Sequence, residues 1–308
     1  MVTSSQATEP FANDPLETDL LETDPLEIDP SEAEPSKTAP LKTESLLLGY
    51  GKKPIINSLN LTIQPHQITA LVGGNGCGKS TLLKSLARLL KPQAGEIFLY
   101  DKNLNQQSGK AVARRLAILP QGPVAPEGLS VEQLVRQGRY PHQNWLNSWG
   151  EKDERLVQKA LLDTNMLALA KQSVESLSGG QRQRAWIAMA LAQDTDVLLL
   201  DEPTTYLDLT HQIEILDLLF ELNQKQHCTI LMVLHDLNLA CRYAHQMIAV
   251  KDGTVFRQGA PEDILDVDMV ESVFGMKCHI TRDPLFGTPM CIPYGKGRSL
   301  SDDNKNNA

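Results

Sequence analysis

"ITALVGGNGCGKSTLLKSLARLLKP", residues 68–92, holds the reading that decides the fold. Ile68 to Val72 is an apolar run of strand length, and Gly73, Gly74, Asn75, Gly76, Cys77 and Gly78 form a glycine-rich turn. From Lys79 onward, Leu82, Leu83, Leu86, Leu89 and Leu90 recur at helical spacing until Pro92 stops the helix. Strand, glycine turn and helix in that order predict a phosphate-binding P-loop, Gly73-x4-Gly78-Lys79-Ser80. Backbone N–H groups of such a turn face phosphates at a helix N-terminus. Lys79 then reaches the β/γ oxygens, the Ser80 hydroxyl takes a Mg²⁺ position, and Thr81 stands beside it. A merely flexible turn leaves the Lys79-Ser80 pair without a purpose.

Further along the chain, "VLLL" (197–200) and "TILMVL" (229–234) read as fully buried strands. The first ends in Asp201 and Glu202, two carboxylates at the carboxyl edge of a sheet. Asp201 suits a water-mediated hold on Mg²⁺, and Glu202 is placed to polarise an attacking water as general base. His235 ends the second run, where a neutral imidazole can bond the γ-phosphate or that water. Gln121, in "LPQGP", comes after another short apolar run; its amide can ligate Mg²⁺ and sense the γ-phosphate. Strands separated by helical stretches imply a parallel sheet with helices on its faces. Asp252-Gly253 is a two-residue hairpin signal.

Residues 123–193 interrupt the strand pattern and read as a helical subdomain, in which Ser130 and Gln133 form a capping box. Near its end lies "LSGGQRQR", where Ser178, Gly179, Gly180 and Gln181 open a helix whose residues 185–192 are apolar or small on every side. Hydroxyl, bare amides and the positive helix end make this a second anion site. With one P-loop in the chain, the second site is expected to serve ATP bound by another molecule, and the glycines to make room for its γ-phosphate.

Composition narrows the function further. Residues 1–44 hold 11 acidic side chains against Lys37 and Lys42, whereas residues 45–308 balance 27 basic against 27 acidic ones. With no basic stripe, nucleic acid is not an expected partner. From Pro15 to Glu44 run six imperfect acidic pentapeptides rich in proline, expected to be a solvated tail. Longer apolar runs all fall short of the ~20 residues that cross a bilayer. Five scattered cysteines fit a reducing compartment; Cys278-His279 with Cys291 reads as packed side chains rather than a metal corner.

Together these motifs resemble the ATP-binding cassette (ABC) ATPases over about residues 45–292. The resemblance implies an α/β fold: a P-loop core with an antiparallel β-subdomain and an inserted helical subdomain. It assigns Tyr50 beneath adenine, "LSGGQ" to ATP on the opposite subunit of a head-to-tail dimer, Asp208 to the interfacial D-loop, His235 to the switch histidine and Gln121 to the Q-loop. Stretches such as "VRQGRYPH", "DEPTTYLDLTHQ" and "GTPMCIP" more closely resemble ATPases of iron–siderophore and ferric dicitrate importers. Cobalamin and haem importers belong to the same broader group. The implied assembly is peripheral to the cytoplasmic face of the inner membrane: two copies beneath a separate permease, supplied by a substrate-binding protein. The permease-facing surface is expected around Gln121, with Tyr140, Trp145 and Trp149 either exposed there or packed internally. Residues 293–308 read as a polar C-terminal tail.

Overall fold

Leu41 to Glu44 alternate inward and outward, which puts them in a strand and corrects the expectation of a tail through residue 44. Leu41 and Thr43 are buried, and Thr43 Oγ1 donates to Leu59 O (3.0 Å). Lys42 and Glu44 pair on the outer face at 2.7 Å. The last pentapeptide shares the composition of the others but has a hydrophobic partner strand to lie on. The computed structural model describes residues 38–51, 53–143 and 149–296. The rest of the tail, and the C-terminal residues from 297, lie outside the described residues.

Strand β1 (Leu41–Tyr50) pairs antiparallel with β2 (Lys53–Ile63) and with β4 (Ala94–Leu99), which turns into β5 (Lys102–Asn103). This is the antiparallel β-subdomain. The central sheet contains β3 (Ile68–Gly73), β6 (Leu116–Leu119), β7 (Val197–Leu200), β8 (Thr229–Val233) and β9 (Gln246–Lys251), parallel in the order β9-β3-β8-β7-β6. The hairpin through Asp252 and Gly253, both left-handed, adds β10 (Thr254–Gly259) antiparallel to β9.

Both faces of the central sheet are covered, which explains its unbroken apolar runs. Ala70, Leu198, Leu200, Ile230 and Met232 enter one core; Leu71, Val197, Leu199, Leu231 and Val233 enter the other. The second core is closed by the β-subdomain, α1 (Lys79–Leu86) and Val112 of α2 (Gly109–Ala113). The first holds α3 (Val131–Gln137), α4 (Glu151–Asp163) and α5 (Gly179–Ala192) of the helical subdomain. It also holds α6 (Leu209–Gln226), α7 (Leu237–Tyr243), α8 (Pro261–Ile264) and α9 (Val267–Phe274). The expected capping box opens α3, with Ser130 Oγ accepting from Gln133 N.

Helix α1 stops four residues before its leucine pattern does. Arg88 turns left-handed (φ 63°), its N–H bonds to Ser85 O (2.9 Å), and Leu89 N bonds to Lys84 O (2.8 Å). That is a Schellman closure, and it leaves Leu89 exposed.

The ribbon of β11 (Cys278–Arg282) and β12 (Pro289–Pro293) is tied to α7 by Asn238, which exchanges two hydrogen bonds with the Cys291 backbone. Cys278 and Cys291 are buried, and His279, on the opposite face of its strand, is exposed. Of the three aromatics, Trp149 packs internally, its Nε1 donating to Glu154 (3.0 Å) with the Arg136 guanidinium over its ring. Tyr140 is 72% exposed, and Trp145 lies outside the described residues. No described helix is long and apolar enough to cross a membrane.

Candidate nucleotide site

Because β3, β8, β7 and β6 are parallel neighbours, the segments that leave their carboxyl ends emerge side by side at one edge of the sheet. The order is the glycine loop, His235, the Asp201-Glu202 pair and Gln121. A crevice outside the carboxyl ends of such strands is where α/β sheets hold ligands. Here Asn75, Gly76, Lys79, Ser80, Glu202 and His235 line a cavity of about 230 Å³, with Gly78, Thr81 and Ile55 completing its wall. A second cavity of about 520 Å³ runs along Gly74 to Cys77 and reaches Lys53 and Pro54 at the start of β2. Tyr50, at the end of β1 and 55% exposed, has its ring open to solvent beside that turn.

The loop geometry requires glycine at its helix junction. Gly78 has φ 106°, and a Cβ there would come within 2.6 Å of Ile56 Cδ1. Both the backbone conformation and the lack of space exclude a side chain. Lys79 is buried, and its Nζ donates to Gly73 O (2.8 Å) and Gly74 O (3.0 Å), which holds the ammonium inside the loop. Its Nζ also lies 3.8 Å from Cys77 Sγ.

Ser80 Oγ donates to Asp201 Oδ1 (2.9 Å) at the head of α1. Burial pushes the Asp201 carboxyl above its usual range, against the opposing effect of the Ser80 bond. A nearby cation would relieve that cost. Hydroxyl and carboxylate oxygens are the donors that a hard ion such as Mg²⁺ takes, so these residues fit it. Gln121 does not join this pair. Its Nε2 donates instead to Glu202 Oε2 (2.6 Å).

Glu202 is held by three side chains. It sits left-handed (φ 54°) and its side chain is only 12% exposed. Besides Gln121, Thr205 Oγ1 donates to Oε2 (2.9 Å), and His235 Nε2 donates to Oε1 (2.6 Å). Three donors on one carboxylate fix its orientation, as a positioned base requires. Thr205 escaped the sequence reading. Its only signal was a hydroxyl three residues after Glu202, and only the turn after β7 brings the two together.

At the second anion site, Ser178 and Gln181 form a full capping box: Ser178 Oγ accepts from Gln181 N (3.3 Å), and Gln181 Oε1 accepts from Ser178 N (3.1 Å). The two glycines differ. A Cβ on Gly179 would meet only Leu207 Cδ2, at an ordinary 3.7 Å, whereas one on Gly180 would fall 2.3 Å from His211 Cδ2. A close approach at Gly180 is therefore to this chain's own α6, on the side where a Cβ would stand. Gly179 alone keeps an open side. Asp208 caps α6: its Oδ1 accepts from His211 N (2.9 Å) and from the His211 ring (2.8 Å). Those bonds hold its carboxyl below the usual range.

A phosphate loop and a carboxylate pair delivered to one edge by parallel strands of the same sheet, β3 and β7 with β8 between them, define the class of P-loop nucleoside triphosphatases. The sequence profile described as ABC transporter matches residues 56–205. The chain is 62% identical over 257 residues to the "Probable siderophore transport system ATP-binding protein YusV" of Bacillus subtilis (strain 168), covering 83% of this chain and 94% of the relative. It is likewise 62% identical over 255 residues to the petrobactin import ATP-binding protein FpuD of Bacillus anthracis, covering 83% and 93%. Among solved structures, "An inward-facing conformation of a putative metal-chelate type ABC transporter" superposes with a TM-score of 0.73 at 31% identity, over 85% of this chain and 99% of that one. The dimeric bacterial ABC transporter cassette MJ0796 gives 0.64 at 27% identity, over 71% and 98%. The chain belongs to the ATP-binding subunits of the ABC transporter family.

Proposed function

We propose that this chain hydrolyses ATP to drive import of a ferric siderophore or ferric citrate through a separate membrane permease. The observation that carries the cargo is the 62% identity, over nearly their whole length, to relatives named for siderophore and petrobactin transport. Two copies act head to tail at the cytoplasmic face of the cell membrane, with a substrate-binding protein delivering the chelate.

Within one copy, the amides from Gly73 to Gly78 and the Lys79 ammonium bind the β/γ-phosphates, with Tyr50 beneath the adenine. Ser80 and Asp201 would hold Mg²⁺, with the Gln121 amide as a further candidate ligand; the ion would supply charge neutralisation at the phosphate oxygens. Glu202 takes the proton of the attacking water, and Thr205 and His235 aim its carboxylate. Gly179, with the capped Ser178–Gln181 turn, meets the phosphate held by the second copy, and Asp208 faces the same interface. The permease has a groove of about 540 Å³ to enter, between Leu89, Val112, Ile118, Tyr140, Pro141 and Met189. It is walled by both the core and the helical subdomain, so an inserted segment would feel their relative motion.

Uptake of radiolabelled ferric siderophores and ferric citrate, in cells deprived of this chain, tests the proposal. At least one chelate should no longer enter, and the Glu202→Gln variant should not restore it. Normal uptake of every iron chelate, with cobalamin, haem or zinc uptake lost instead, would leave the mechanism standing and overturn the cargo.

A further inference from the structure

Within the stretch 201–212, two residues are bound to opposite elements of the site. Thr205 bonds Glu202, and His211 lies against Gly180. The His211 contact joins two groups that the proposed dimer sets at the interface between copies. Its ring Nδ1 donates to Asp208 Oδ1 (2.8 Å), and its other edge occupies the space where a Gly180 side chain would be, with Cδ2, Cγ and Nε2 2.3, 2.9 and 3.1 Å from the ideal Cβ position. Asp208 Oδ1 also accepts the His211 backbone N–H, so one residue holds that carboxylate twice. Gly180 is buried and Asp208 is largely exposed, and the imidazole is the solid piece between them. Position 211 is thus shaped from both sides: a larger residue at 180 is excluded by the ring, and a ring without Asp208 would lose its anchor.

We infer that His211 is a positioning residue that fixes the Asp208 carboxylate and the Gly179–Gly180 backbone in register with one another, so that both meet a second copy of this chain together. This rests on the proposed head-to-tail dimer. It assigns His211 no contact with the bound nucleotide of its own copy. Removing the ring should therefore leave ATP affinity of the single chain unchanged and weaken the ATP-dependent dimer. A two-fold dimer carries the defect twice. Loss of one charge-assisted, partly exposed hydrogen bond per copy then predicts a dimer dissociation constant raised roughly tenfold or more.

The test uses the full chain with Glu202→Gln as the trapped-dimer background, ATP and Mg²⁺, and light scattering across a dilution series. His211→Ala should weaken the dimer as stated, with nucleotide affinity measured on dilute monomer within about twofold of the parent, well under the factor of ten that 1.4 kcal/mol represents. His211→Asn, whose side-chain amide can overlay Nδ1 and donate to Asp208, should recover most of the loss. A defect caused by poor folding would not be rescued in this way, and would lower the melting midpoint of His211→Ala and His211→Asn alike. Equal dimer affinity in the parent and His211→Ala overturns the inference while leaving the dimer itself intact. A parent that stays monomeric overturns the dimer, and the inference with it.

Discussion

Replacing Glu202 by Gln should stop hydrolysis without unfolding the site, and the structure allows both halves to be worked out. Glu202 Oε2 accepts from Gln121 Nε2 and Thr205 Oγ1, and Oε1 accepts from His235 Nε2. An amide can keep its oxygen toward the first two donors and turn its NH₂ toward His235. The imidazole then answers by carrying its proton on Nδ1 and accepting through Nε2. The three contacts to residue 202 are kept, so unfolding free energy should change by less than about 1 kcal/mol. The left-handed backbone at 202 imposes the same cost on either residue. What the amide cannot do is take a proton from water. General-base assistance is worth roughly 10²–10⁴-fold. Turnover measured by phosphate release should fall by that factor while ATP affinity holds and the ATP-bound dimer accumulates. A folded variant that retains turnover within about threefold, far less than that assistance is worth, would show that Glu202 is not the base.

Other consequences are as direct. Removing residues 1–37 should leave the melting midpoint nearly unchanged. Removing 1–44 deletes buried Leu41 and Thr43 from β1; losing one such leucine, at about 1.5–3 kcal/mol, should lower the midpoint by roughly 5–10 °C. Equal midpoints would mean that β1 does not need its first turn of pairing. Iodoacetamide on Cys77, which lies 3.8 Å from Lys79 Nζ in the loop, should block nucleotide binding, and ATP should slow the reaction. Cys77→Ser should stay active, since the thiol makes no contact that catalysis requires; an inactive but folded Cys77→Ser would contradict this. His245 sits under α6 with its Nδ1 accepting from Ile68 N (3.1 Å), and burial holds its pKa below the ordinary value. The folded chain therefore prefers the neutral ring. Its contribution is complete above the unfolded pKa of about 6.5 and declines as pH falls below it. Urea unfolding between pH 7.5 and 5.5 should show that loss, and His245→Gln should flatten it; an unchanged slope would exclude His245 as the source.

Much of the site was legible because its chemistry sits at the ends of strands. Periodicity marked β3, β7 and β8 as buried, and buried parallel strands deliver their next residues to one edge, so Lys79, Ser80, Asp201, Glu202 and His235 were legible without coordinates. Local spacing likewise predicted the capping box at Ser130 and the helix start at Ser178, since each is closed within four residues. Where the reading missed, the deciding partner was far away in sequence. Leu41 to Glu44 looked like one more acidic repeat until β2 and β4 supplied the surfaces that bury Leu41 and Thr43. The leucines at 89 and 90 promised helix, but Arg88 turned left-handed and its closure ended α1 first.

The sequence by itself determined the strand–loop–helix chemistry of the phosphate site and the two helix starts, because hydrogen bonds between near neighbours create both. Only the tertiary structure decided that Gln121 and Thr205 grip Glu202, and that Gly180 is bare because His211 lies against it. Those contacts join residues 31 and 81 positions apart, or a pair across a turn whose direction is set by the sheet. No local pattern encodes them, since the energy that fixes them is gained only when the elements pack.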